Sequence, residues 1–307
     1  MVVERPQSRP QTRARSVLAR FLETEGPSPW GSDPAQWDAL AIASTKPKLD
    51  AIFGPGRYLR VRAEGLDELP DRNVMLVSNH CGGTTILDAI GLGWAWIEHF
   101  GTSRPLHAMV HDLLLANPLT GRPLSRIGAL RACRANARRA VGEFARDLVV
   151  YPGGDQDTWR PFARGYEVCF AGRKGYARIA LEQGVPIVPV GHAGAHESFV
   201  VLARGRRLAR AMGIPRIARA EVWPIHLSLP WGLAVGPVPH LPLPVRFDYR
   251  FGAPVPFPSG YRPGRPVSEG QVADYDRAVR DALQAELDVL RRSRRRFLRR
   301  WTSRFTR

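Results

Sequence analysis

His80 and Asp88 stand eight residues apart in the stretch Asn73-Val-Met-Leu-Val-Ser-Asn-His-Cys-Gly-Gly-Thr-Thr-Ile-Leu-Asp88. An imidazole oriented by a carboxylate is the minimal apparatus for taking a proton from a hydroxyl. The stretch reads as a buried strand that breaks at Asn79-His80, turns on Gly82-Gly83 and enters a helix near Asp88. That places the histidine at the carboxyl end of a strand, where open α/β sheets bind their ligands. A bend at Gly82-Gly83 lets the chain fold back so that Asp88 meets the ring. The same residues also read as a histidine capping a turn and an aspartate capping a helix. Cys81 lacks a second sequence-local activator and reads as a small side chain at a turn.

Three further blocks carry polar chemistry. A strand running into Pro152-Gly153-Gly154 exposes backbone N–H groups in a tight turn, a nest for a phosphate or an oxyanion. Pro-Gly is equally an ordinary turn signal. Ile127 to Asn136 opens an arginine-bearing helix, with Arg131 and Arg134 near its N-terminus, where anions are favoured. A solvated basic face has the same pattern. Gly172-Arg173-Lys174-Gly175 holds the only lysine after residue 48 and does not fit a Walker A loop.

These residues need a scaffold, and the pattern supplies one. Strands are predicted at 58–62, 73–79, 106–110, 148–151, 185–190 and 246–251. Helices are predicted at 36–53 with a pause at Pro47, at 84–99, 136–146 and 174–183, and over 268–303. Residues 111–127 read as short helices broken by Pro118 and Pro123. The prolines of Val185-Pro-Ile-Val-Pro-Val190 put that strand at an edge or a strand end. Strands alternating with helices predict an α/β fold, a mostly parallel sheet flanked by helices.

Composition narrows the partners. The chain has 307 residues, a net charge of +17 and only three lysines among 45 basic residues. So basic a chain expects an anionic partner, and arginine gives bidentate contact to phosphate. Three cysteines without metal-ligand spacing argue against a disulfide framework and for a reducing compartment. No metal site and no cofactor are predicted. The polar, arginine-bearing start shows no signal peptide, and no apolar run approaches the roughly 20 residues of a spanning helix. Residues 291–307 carry nine arginines and no acid, with Phe297, Trp301 and Phe305 on one helical face. That pattern fits a basic amphipathic helix at a membrane interface. A disordered tail or a helix docked on the domain would share it. Nucleic acid ranks below membrane, because no nucleic-acid module is visible.

The order of the blocks adds a resemblance. Asn79-His80-x-Gly82-Gly83-x-x-x-x-Asp88 is followed by Gly128-x-x-x-x-x-Arg134-Ala-Asn136, then Tyr151-Pro152-Gly153-Gly154-Asp155. Gly172-Arg173-Lys174-Gly175-Tyr-x-Arg-x-Ala-Leu and Val185-Pro-Ile-Val-Pro-Val190 complete the set. Together they resemble the glycerolipid (lysophospholipid) acyltransferase superfamily over about residues 57–260, most closely the branch with the mono- and diacylglycerol acyltransferases. The resemblance implies transfer of an acyl group from acyl-CoA, as co-substrate, to a glycerolipid hydroxyl at a membrane surface. It implies His80 as general base and Asp88 as its partner. It implies that Tyr151, Pro152, Gly153 and Gly154 lie by the acceptor pocket, and that Arg131 and Arg134 bind a head group or phosphate. Asn79, Gly82, Gly83, Asp155, Arg173 and Lys174, the other motif positions, are expected to contact substrate. The commoner pattern has its aspartate where Thr85 stands and Pro-Glu-Gly where this chain has Pro-Gly-Gly. Both departures resemble the neutral-glyceride branch.

The resulting expectation is an N-terminal extension over 1–35, an acyltransferase domain over 36–265 and a basic C-terminal helix over 266–307. The expected location is cytoplasmic, peripheral on the inner face of the plasma membrane. The rival readings are a lipid hydrolase, for which no Gly-x-Ser-x-Gly elbow exists, and a basic lipid- or nucleic-acid-binding protein without catalysis.

Overall fold

The computed structural model describes residues 29–214, 222–238 and 240–302. Most of the extension expected over 1–35, and the side chains of the 297, 301 and 305 stripe, lie outside the described residues. Among the described residues the strands are β1 (Val61–Glu64), β2 (Met75–Ser78), β3 (Leu106–Val110), β4 (Ala129–Arg131), β5 (Asp147–Val150), β6 (Ile187–Ala193), β7 (Val200–Ala203), β8 (Ile225–Ser228), β9 (Gly232–Val235) and β10 (Phe247–Phe251). The main helices are α1 (Ala39–Phe53), α2 (Leu87–Phe100), α3 (Pro118–Arg126), α4 (Arg134–Arg138), α5 (Gly175–Gln183) and α6 (Glu269–Thr302).

The central strands are apolar on both faces, so both faces need cover. Met75 and Val77 of β2, with Leu148 and Val150 of β5, enter one core, which α5 and α6 close. Leu76, Val149 and Val188 enter the other, with Phe53 of α1 and Leu92, Trp94 and Trp96 of α2. The resulting sheet has the order β1-β10-β6-β2-β5-β3-β4. Strands β6 to β4 run parallel, β10 lies antiparallel to β6, and β1 pairs parallel to β10. The predicted α/β class, a mostly parallel sheet between helices, is therefore the observed one.

Of the two placements that its prolines suggested, a strand end holds for Pro186, just before the first residue of β6, but β6 itself is an interior strand flanked by β2 and β10, not an edge. Pro189 is tolerated because β10 is leaving the ladder beside it: the Pro189 carbonyl accepts from Gly252 N–H, just past the end of β10. Pro123 likewise sits inside α3 without breaking it. The C-terminal helix belongs to the core for its first five turns, burying Val272, Tyr275, Val279, Leu283 and Leu287 at helical spacing. Further along, Arg294 pairs with Glu197 and, at 2.5 Å, with Asp248. Of the two alternatives for this helix, docking on the domain holds at least to Arg294. Among the described residues no helix is long and apolar enough to cross a membrane.

A second sheet, antiparallel in the order β7-β8-β9, was not foreseen. Each of its strands is four residues long and lies in a Trp-, Pro- and His-rich segment whose pattern favours no period.

Candidate active site

Strand β2 delivers its chain to the carboxyl edge of the sheet, and Asn79 fixes the exit. Its Nδ2 donates to His192 O at 3.0 Å, and its Oδ1 accepts from His192 N–H at 2.8 Å. Expected to contact substrate, Asn79 is instead a buried tie between β2 and β6. His80 comes next, and its main-chain N–H donates to Asp157 Oδ2 at 2.6 Å.

The chain then turns back through Gly82 (φ +100°) and Gly83 (φ +70°), both left-handed. A Cβ at Gly83 would come 2.8 Å from Phe199 and 3.1 Å from Trp159, so the turn is also too tight for any side chain. Ile86 closes it at φ +44°, a strained conformation for a β-branched residue. This path returns Asp88, in the first turn of α2, to the histidine. Asp88 Oδ2 meets His80 Nδ1 at 2.6 Å and accepts from Cys81 N–H at 2.8 Å. The Tyr249 hydroxyl donates to the Asp88 carbonyl at 2.7 Å, anchoring that turn to β10. With Nδ1 engaged, the nitrogen left for a substrate is Nε2. Tyr151 packs its ring on the imidazole, centroids 4.7 Å apart.

Electrostatics single out His80 among the buried histidines. Burial lowers its pKa, but the Asp88 charge and hydrogen bond, with Asp157, outweigh it, and the net shift from 6.5 is upward. Asp88 is raised by burial but more strongly lowered by His80, ending below its usual range. His192, close by, is pushed down to about 4 by burial, and burial also pushes His196 well below 6.5. Burial pushes the Cys81 thiol well up, which keeps it protonated and unreactive.

A general base must be neutral before it acts, so these shifts set a pH profile. The acidic limb of kcat/KM should lie above pH 6.5, because protonated His80 persists to its raised pKa. Asp88→Asn removes the main raising influence and leaves burial, so the limb should move below 6.5, alongside a lower rate. A rate-versus-pH series on both proteins checks this, and an unmoved limb refutes it. For stability the signs are opposite. His80 contributes fully below 6.5 and loses its contribution as pH rises through the raised pKa. Asp88 contributes fully above 3.8 and loses it as pH falls through the lowered pKa.

The other anticipated residues divide. Gly153 and Gly154 turn beside Tyr151, but the Gly154 N–H closes the turn on the Tyr151 carbonyl at 3.1 Å. That N–H is therefore engaged in an ordinary turn, the alternative to a nest for an oxyanion. Arg173 Nη1 donates to the Pro152 and Gly153 carbonyls at 3.1 and 2.8 Å, and Nη2 to Asp155 at 3.3 Å. Arg173 and Asp155 thus brace the turn, and Lys174 beside them is exposed. Arg131 ends β4, three strands from β2 and so about 14 Å across the sheet. Its Nε lies 3.2 Å from Asp112 Oδ1. Arg134 opens α4 in solvent. The fold does not bring these two arginines to His80.

Sequence reasoning missed Asp157, Arg160, Phe199 and Tyr249. Asp157 Oδ1 lies 2.8 Å from Arg160 Nη1, and both side chains are buried. Burial raises the Asp157 pKa, opposed by Arg160 and by the His80 amide. Asp155 was singled out instead, although one helical turn, Asp155–Thr158, sends position 157 inward. Among the described residues no group of three or more His, Cys, Asp or Glu could hold a metal ion.

Along the other face of α2 runs an apolar cavity of about 250 Å³. Ile86 and Ala89 line it near the start of the helix, Trp96 and Gly101 near its end, and Leu49, Leu106 and Ile127 wall it from α1, β3 and the end of α3.

Residues 60–193 match the model of the family described as Acyltransferase. An uncharacterized protein of Mycobacterium leprae is 28% identical over 201 residues, 64% of this chain and 51% of that protein. An uncharacterized protein of Mycobacterium tuberculosis is 28% identical over 244 residues, 78% of this chain and 64% of that protein. The chain thus spans about half to two thirds of the length of these curated relatives. The crystal structure of the 1-acyl-sn-glycerophosphate (LPA) acyltransferase PlsC from Thermotoga maritima aligns with a TM-score of 0.45 at 17% identity, covering 82% of this chain and 78% of that one. The residues that match this family model, 60–193, contain His80, the glycine turn, Asp88 and the Tyr151 turn.

Proposed function

We propose that this chain is an acyl-CoA-dependent O-acyltransferase that acylates a glycerolipid hydroxyl at a membrane surface. The observation that carries the reading is the His80–Asp88 pair, 2.6 Å apart at the carboxyl end of β2. The apolar cavity against the helix that bears Asp88 supports it, because a fatty acyl chain needs such a wall.

In this reading neutral His80 Nε2 takes the acceptor's hydroxyl proton while the oxygen attacks the thioester carbonyl. Asp88 holds the ring by Nδ1 and stabilises the imidazolium. The tetrahedral intermediate collapses, the C–S bond breaks, and the imidazolium returns the proton to the departing CoA thiolate. The products are an ester and free CoA, with no net change at His80. The Pro152-Gly153-Gly154 turn and the engagement of Arg131 by Asp112 favour a neutral mono- or diacylglycerol acceptor over lysophosphatidate.

Release of free CoA from a long-chain acyl-CoA tests this, with lysophosphatidate, monoacylglycerol and diacylglycerol offered singly and His80→Ala as control. His80-dependent release with one acceptor supports transfer and fixes the acceptor class. Equal release without any acceptor means thioester hydrolysis and overturns the reading.

The cavity makes its own prediction. Gly93 lines it on α2, and a Cβ there meets no atom within 4 Å. Gly93→Phe should fill the cavity without straining the helix. The preference for long-chain over short-chain acyl-CoA should then fall about tenfold, equivalent to losing burial of roughly two methylenes. Competition between the two donors measures it, and an unchanged preference removes the cavity from the acyl path.

A further inference from the structure

An antiparallel sheet with one face on a core normally shows polar residues on the other. The β7-β8-β9 sheet does not. Its inner face sets Val201 and His226 against Phe199, whose ring lies 4.5 Å from the His226 ring. On the outer face the register pairs Leu227 with Leu233 and Ile225 with Val235. Leu227, Leu233 and Val235 are 45%, 65% and 48% exposed. The β8–β9 turn adds Leu229 and Trp231 at 47% and 57%, and Leu241, bridged to Leu229, adds 61%. Single exposed leucines need no explanation, but a continuous set of this kind marks an interaction surface.

Charge identifies the occupant. Arg207 and Arg210 are exposed on the helical turn Arg206–Ala211 that directly follows β7. That turn lies at the Ile225–Val235 end of the sheet, and an exposed apolar face on a chain of net charge +17 fits a bilayer interface with anionic head groups. A second copy of this chain fits poorly, since each copy carries a net charge of +17. The position has a use as well. Phe199, on the inner side, packs against the Gly83 turn that links His80 to Asp88, so the sheet backs onto the turn that shapes the site.

We propose that the outer face of the β7-β8-β9 sheet, led by Leu229, Trp231 and Leu233, inserts into an anionic membrane surface and presents the site to lipid. The geometry stands alone; its purpose rests on the acyltransferase reading. The test uses the full chain and vesicles of phosphatidylcholine with phosphatidylglycerol at about 1 M salt. The Debye length there is about 3 Å, which screens attraction by arginines alone, those after residue 290 included. Parent protein should sediment with the vesicles. The triple variant Leu229→Ser, Trp231→Ser, Leu233→Ser should lose affinity by about tenfold or more, the scale of one or two buried aliphatic side chains. Its CoA release on detergent-dispersed acceptor should be unchanged.

In a second measurement, vesicles brominated in the acyl chains should quench tryptophan fluorescence in the parent and much less in Trp231→Phe. Three results would overturn the proposal: no parent binding at high salt, full binding of the triple variant, or undiminished quenching in Trp231→Phe. If the triple variant instead turns a dimer into a monomer with vesicle binding unchanged, the face belongs to a second copy. If vesicle binding follows prediction but no acceptor yields CoA release in detergent, the acyltransferase reading fails and the membrane surface remains.

Discussion

His80→Ala is expected to lower CoA release by about 10²–10⁴-fold, the range that a positioned general base contributes. The loss should appear in kcat, because the ring acts on the proton in the transition state and binds little of the lipid. The fold should survive. The His80 side chain is already 13% exposed, and Asp88, which loses its ion partner, keeps the Cys81 amide at 2.8 Å. What changes is the carboxyl group. Without His80, burial governs Asp88 and raises its pKa, so part of the cost is avoided by protonation. A thermal melt should therefore show a cooperative transition at a modestly lower temperature. A folded His80→Ala protein that retains more than about a tenth of parental turnover would sink the general-base assignment. Asp88→Asn separates orientation from basicity: it keeps the shape and removes the charge that holds the tautomer.

How far this was legible from sequence depends on the distance along the chain over which each contact is made. His80 and Asp88 are joined by one local turn, and Gly82-Gly83 announces it, so their pairing was readable. The contacts that seat this pair were not. Asp157 reaches the His80 amide across 77 residues, and Tyr249 reaches the Asp88 carbonyl across 161. Both depend on strand order: β5 must lie beside β2 before the turn after Tyr151 can underlie His80. Hydrophobic alternation marks a strand but not its neighbours, which is also why Pro189 pointed wrongly to an edge. Arg131 and Arg134 show the converse. Their sequence position near a helix start was right, yet β4 lies at the far side of β3 and β5 from His80. The second sheet was hidden because its outer face breaks the polar-out alternation by which a half-buried strand is recognised. That violation is the feature on which the membrane surface rests.

Asp157→Ala should be the most destabilising single change near the site, by about 3–5 kcal/mol, because it leaves Arg160 as an uncompensated buried charge. The Arg160 side chain is 1% exposed, and its remaining bond is to the Glu167 carbonyl. Its Nε and Nη2 have no partner among the described residues, so it cannot redistribute the lost interaction. The double variant Asp157→Leu, Arg160→Met replaces both charges with apolar volume and should recover most of the stability, as buried pairs removed together commonly do. Denaturant midpoints for parent, single and double variants measure this. Function should not follow stability back. Asp157 also accepts the His80 main-chain N–H at 2.6 Å, and leucine cannot. The double variant should thus be stable yet slow, with its deficit in kcat rather than KM, because the imidazole is no longer fixed over the attacking hydroxyl. Full activity in a stable double variant would mean that the glycine turn and Asp88 position His80 unaided, and that the buried pair serves the fold alone.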